Sequence, residues 1–260
     1  MGKICSQNSE GAIIRIVIEP DRQAMGAHSA KLAAQCLRKA IRERGEARLI
    51  VATGSSQFEV LNALISEPLI DWSRVDGFHL DEYVGIPTTH GASFCGYLKE
   101  RFVDRVPLRS FHYLDGMSDP VTVCKRAGEA LRVRPIDVAL IGIGENGHLA
   151  FNDPPADFET RDAYHVVQLD EACRMQQVGE GWFATLADVP THAISMTIYE
   201  ILQTHEIICS VPDARKATAV ANSIDGPLTN QVPGSILRQH PNTTIMLDLA
   251  AASLLKSKTP

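Results

Sequence analysis

In residues 138–155, VALIGIGENGHLAFNDPP, one imidazole stands among short polar side chains: Glu145, Asn146, His148, Asn152 and Asp153. Histidine titrates near neutrality, so His148 is the natural acid–base group of the set. A carboxylate or amide beside one ring nitrogen would fix its tautomer, and Asn146 and Asp153 are the local candidates. The preceding glycines, Gly142, Gly144 and Gly147, have the spacing G-x-G-x-x-G. A dinucleotide-binding turn would start a helix at the third glycine and set its N-terminus on the pyrophosphate. Pro154 and Pro155 follow too soon for a full crossover helix. The glycines fit better as a turn at a strand end, with Gly142 and Gly144 letting the backbone approach a ligand.

Two further stretches carry candidate chemistry. GFHLDEYVG (77–85) places Asp81 and Glu82 side by side at a strand end. Neighbours on an extended chain point to opposite faces, so at most one naturally faces a cleft. One of the two is a candidate general base, and both are retained as site residues. VATGSSQFEV (51–60) sets Thr53, Gly54, Ser55 and Ser56 between a strand and a helix. Backbone N–H groups at a helix start, with three hydroxyls, suit a phosphate. The Gly-Lys-Ser/Thr ending of a nucleotide-binding P-loop is absent. Cations for the phosphate are Arg215 and Lys216 in PDARKAT, and Arg174.

The elements that must position these groups alternate. Strands are predicted at 12–19, 48–53, 75–80, 110–114, 136–144, 192–198, 206–211 and 243–248. Helices are predicted at 22–44, from Phe58, at 93–104, 119–131 and 213–224, with a short Ala/Leu-rich helix after 248. Asp119-Pro120 is a cap and first-turn pair, and Gly45 closes the first helix. This pattern implies an α/β fold: an open, mainly parallel β-sheet with helices on both faces, a Rossmann-like three-layer sandwich. The whole chain, 1–260, reads as one α/β domain. Its polar, weakly periodic segment at about 155–188 is read as a lid. Ligands of such sheets bind beyond the carboxyl ends of the strands, where residues 53–57, 81–85 and 144–153 fall.

Composition narrows the partners. The 260 residues are 45% apolar, enough for a sizeable core, and the formal net charge is -6 without a basic block. Nucleic acid is therefore not expected. No apolar run reaches the length of a membrane span, and the N-terminal stretch lacks a signal-peptide layout. The six cysteines are scattered, with no C-x-x-C and no zinc-ligand spacing, so a reducing cytoplasmic location is expected.

LDEYVG, GIGENGHLAFNDP and RKATAV, in that order, resemble the glucosamine-6-phosphate deaminase (isomerase) family, which is related to 6-phosphogluconolactonase. The resemblance runs over roughly residues 12–250. The Ala-Ser-Leu-Phe-Pro continuation of the lactonase branch is missing after Gly147-His148. It implies aldose–ketose isomerisation of a phosphorylated amino sugar with loss of ammonia, giving fructose 6-phosphate, the chemistry of an isomerase and hydrolase. It implies Asp81 as the base moving a proton between C2 and C1. His148 would assist ring opening, with Asp153 as supporting carboxylate in place of the usual Glu. Thr53, Gly54, Ser55, Ser56 and Lys216 would bind phosphate, with Arg174 carried over less directly. No metal or organic cofactor is implied, and both a monomer and a homo-oligomer are compatible with it.

The departures from the family pattern are specific. Asn146 replaces an aspartate that would raise the pKa of His148. Ala156, Ala163 and His165 stand where allosteric members have Ser, Arg and Lys, so activation by N-acetylglucosamine 6-phosphate is not expected. Three alternatives stay open: another amino-sugar phosphate such as galactosamine 6-phosphate, a sugar-phosphate lactone, or a non-catalytic sugar-phosphate sensor.

Overall fold

The computed structural model describes residues 3–6 and 14–256. Strand β1 (Lys3–Ser6) is followed by β2 (Arg15–Glu19), α1 (Arg22–Arg44), β3 (Ala47–Val51) and α2 (Phe58–Leu64). Next come β4 (Val75–His79), β5 (Asp81–Tyr83), α3 (Phe94–Arg101), β6 (Ser110–His112), α4 (Pro120–Leu131) and β7 (Val138–Ile141). The chain continues through β8 (Tyr164–Gln168), α5 (Glu171–Gly179), β9 (His192–Met196), α6 (Ile198–Ile201), β10 (Glu206–Val211), α7 (Ala217–Asp225) and β11 (Thr243–Asp248). Residues 12 and 13 of the first predicted strand lie outside the described residues.

Seven strands run parallel in the order β2-β11-β10-β7-β3-β4-β6, and β1 pairs antiparallel outside β2. Alternate residues feed two cores, as the pleat requires. On one face Leu49, Val51, Val138 and Leu140 meet Met25, Leu37, Leu61 and Leu98 of α1–α3. On the other Ile50, Ala139 and Ile141 meet Val123, Ile201 and Val220 of α4, α6 and α7. The chain order diverges between neighbouring β3 and β7, the switch point at which open sheets leave a crevice.

Local signals set the helix ends. Asp21 caps α1 by accepting from Ala24 N at 2.8 Å, and Gly45 ends it at φ +79°. Asp119 caps α4, with Pro120 at its first position.

Two expectations are corrected. The Ala/Leu-rich segment after β11 forms turns, not a helix. The Asp248 carboxylate binds Ala251 N and also Asp213 N, and a segment this short cannot repay helix nucleation by itself. The segment at 155–188 holds β8 and α5, so it is more ordered than its weak periodicity suggests. β8 joins β5 and β9 in a second, antiparallel sheet, in which Asp81 stands opposite Ser195.

Candidate active site

The loops after β3, β4 and β7 surround a cleft. Asp81, His148, Lys216, Gly142, Gly144 and the Thr53–Ser56 loop all line it. Groups far apart in the chain thus converge at the switch point.

Asp81 is 6% exposed and accepts no hydrogen bond among the described residues. Burial, reinforced by the neighbouring Glu82 charge, pushes its pKa up to about 8. A carboxyl so placed binds a proton near neutrality and can return it, which is what a shuttling base needs.

Glu82 does not reach the cleft, contrary to its sequence assignment. Its carboxylate accepts from Tyr83 N (2.8 Å), Phe94 N (3.1 Å), Cys95 N (2.6 Å) and Ser93 Oγ (3.1 Å). It therefore holds the start of α3, where a helix favours negative charge. Burial raises its pKa, and these donors oppose the rise. Glu82→Ala should lower stability by about 3 kcal/mol, since several buried donors lose their acceptor. A loss below about 1 kcal/mol in chemical denaturation would contradict that structural role.

The turn after β7 is held by backbone bonds Gly147 N to Gly144 O and Gly144 N to His148 O, each 3.0 Å. A Cβ at Gly144 would lie 2.2 Å from the His148 ring, so only glycine lets the imidazole pack there. A Cβ at Gly142 would lie 2.9 Å from Ser56 Oγ, so this glycine admits the 53–56 loop. His148 Nδ1 stands 3.1 Å from Asp153 Oδ1, at an angle too oblique for a formed hydrogen bond. Asn146 Nδ2 donates to the same Asp153 oxygen at 3.1 Å, and Asn146 Oδ1 accepts from His148 N at 3.0 Å. Asn146 thus orients the carboxylate and the turn, not the ring. Burial pushes the Asp153 pKa up, but His148 and Asn146 outweigh it and the net shift is downward.

In the 53–56 loop Gly54 has φ +90°, which opens the backbone. Gln57 Nε2 ties the loop to β7 through Ile141 O at 3.1 Å. Lys216 is 6% exposed, and burial lowers its pKa. Arg215 points elsewhere, to Asp213 at 3.1 Å and Glu145 at 3.6 Å.

Arg174 is the second correction. Its guanidinium donates to Leu186 O at 2.6 Å and Val189 O at 3.0 Å, so it fastens the loop after α5 and does not line the cleft. The same helix and its C-cap instead contribute Gln176, Gln177 and Glu180, which sequence reasoning missed. The available signal was Asp170, which caps α5 by accepting from Cys173 N. A helix begun there puts Cys173 and Gln177 on one face.

Among the described residues, two side-chain groups are compact enough to hold a metal ion: His148, Asp153 and Cys173, and His79, Glu82 and Cys95. In the second, the Glu82 oxygens already accept four bonds and Cys95 Sγ donates to Leu114 O at 3.0 Å. The first includes His148, which lines the cleft.

Residues 20–246 match the family described as glucosamine-6-phosphate isomerases/6-phosphogluconolactonase. The chain belongs to this family. Among similar proteins of the glucosamine-6-phosphate isomerase family, a glucosamine-6-phosphate deaminase of Lactobacillus delbrueckii subsp. bulgaricus is 33% identical over 244 residues, 94% of this chain and 100% of the relative. A glucosamine-6-phosphate deaminase of Bacillus cytotoxicus is 35% identical over 215 residues, 82% of this chain and 80% of the relative. A solved monomeric glucosamine-6-phosphate deaminase superposes with a TM-score of 0.83 at 27% identity, covering 92% of this chain and 99% of that one. The open parallel sheet expected from the sequence is the fold these relatives share.

Proposed function

We propose that this member of the glucosamine-6-phosphate isomerase family is a glucosamine-6-phosphate deaminase. The observation that carries the reading is the meeting, in one cleft, of buried Asp81, His148 and an anion cradle containing Lys216. Lys216 and the Thr53–Ser56 loop bind the phosphate. His148, backed by Asp153, moves the proton that opens the sugar ring. Asp81 takes the proton from C2 of the open amino aldose and delivers it to C1, while O1 gains a proton and the C2 amino group loses one, leaving a C1 hydroxymethyl and an imine at C2. Water adds to the imine carbon, ammonia leaves, and fructose 6-phosphate remains. Holding the substrate in one pose lets two acid–base groups suffice. The segment 155–188 covers this cleft through α5. The free cysteines Cys36, Cys95, Cys124, Cys173 and Cys209 suit a reducing cytoplasm.

The test is ammonia release from glucosamine 6-phosphate by the purified protein. One ammonia per fructose 6-phosphate is expected, and no release from neutral to mildly alkaline pH would sink the reading. Asn146→Asp tests the oblique histidine pair. The new carboxylate would keep the bond from His148 N but oppose Asp153 Oδ1 where Asn146 now donates. The added negative charge beside the acid–base group should change the pH–rate profile of ammonia release. Superimposable pH–rate profiles of the two proteins would refute this.

A further inference from the structure

Helix α5 carries Cys173 and Gln177 one turn apart, and Glu180 follows at its C-terminal cap; Gln177 and Glu180 line the cleft. Cys173 Sγ lies within 4.8 Å of ligand atoms of both His148 and Asp153. Glu180 acts electrostatically on Lys216. With a rise of about 1.5 Å per residue these two positions lie about 10 Å apart along the axis, and Gln177 falls between them. A six-carbon chain ending in a phosphate has comparable length.

Gln176 and Gln177 differ sharply. Gln176 Oε1 accepts from Glu145 N at 3.2 Å, and its Nε2 donates to Glu180 at 2.8 Å. Gln177 lines the cleft, and its amide makes no side-chain hydrogen bond among the described residues and is not sealed from solvent. An amide that faces the cleft with no protein partner is free to pair with a ligand group that offers both a donor and an acceptor. The amide offers both a donor and an acceptor. A hydroxyl matches both, whereas a phosphate oxygen only accepts and an ammonium only donates.

We propose that Gln177 reads a hydroxyl in the middle of the substrate's carbon chain and so sets which sugar phosphate the cleft accepts. The proposal rests on the sugar-phosphate reading of the cleft but not on deamination.

The experiment measures calorimetric binding of the open-chain amino alditol 6-phosphate, and of its 3-deoxy and 4-deoxy forms, to the wild type and Gln177→Leu. The variant should bind the full alditol about tenfold more weakly. For one deoxy ligand the wild type should already show that loss, and the variant should add nothing to it. Additive losses with both deoxy ligands, or no binding of the alditol to the wild type, would overturn the proposal. Inorganic phosphate should bind both proteins equally. A parallel loss of phosphate affinity would move Gln177 to the anion end and also overturn it. Coupled binding without ammonia release would sink the deaminase reading and leave Gln177 in place.

Discussion

Asp81→Asn will lower kcat by about a hundred- to ten-thousand-fold, the range spanned by removal of a positioned acid–base group. The amide keeps the shape of the carboxyl but cannot take the C2 proton. Asp81 ionises at about pH 8 because it is buried and lies beside Glu82. Since the base form does the work, wild-type kcat/KM should rise with pH through about 8. The residual rate of the variant should lack that limb. A variant that retains the rise would assign it to another group.

The same carboxyl makes a separate prediction about stability. Unfolded, it loses its proton at about pH 4, whereas folded it holds it to about 8. Between those values the unfolded state binds fewer protons, so the Asp81 contribution to stability declines as pH rises, and it levels off above 8. Asp81→Asn removes this contribution. The variant should therefore gain on the wild type as pH rises across that window, read as a difference in denaturation midpoint. A constant difference would mean that Asp81 is ionised throughout in the fold.

How far the sequence disclosed these groups follows from what determines each one. The parallel sheet was legible because buried strands such as VALI and IICSV are apolar on both faces, and that property is local. Asp81, His148 and the 53–56 loop were legible because strand ends are where an open sheet gathers a ligand site. Glu82 was misassigned because three of its four donors lie eleven to thirteen residues later, at the start of α3, and no local pattern marks a carboxylate recruited by a distant helix. Arg174 was misassigned because cation type suggests an anion, while its direction depends on how α5 packs against the loop at 186–189. Gln177 carried no signal, since an amide becomes informative only when its surroundings leave it without a partner.

Lys216→Met will raise KM about ten- to a hundredfold while changing kcat much less, because a hydrogen bond to a charged group is lost in ground state and transition state alike. Lys216 is the one lysine or arginine among the described residues that line the cleft, and Glu180 lines it as well. No second cation is there to compensate. The ammonium has no carboxylate within ion-pair distance among the described residues, and burial depresses its pKa. A lysine with a depressed folded pKa costs stability below that value, because folding must desolvate its charge. The ligand-free variant should therefore melt above the wild type near neutral pH. Inorganic phosphate reverses the order: it should raise the wild-type Tm by mass action and leave the variant nearly unmoved. If phosphate stabilises both proteins equally, the anion site is elsewhere, and the orientation of the sugar along α5 must be reversed with it.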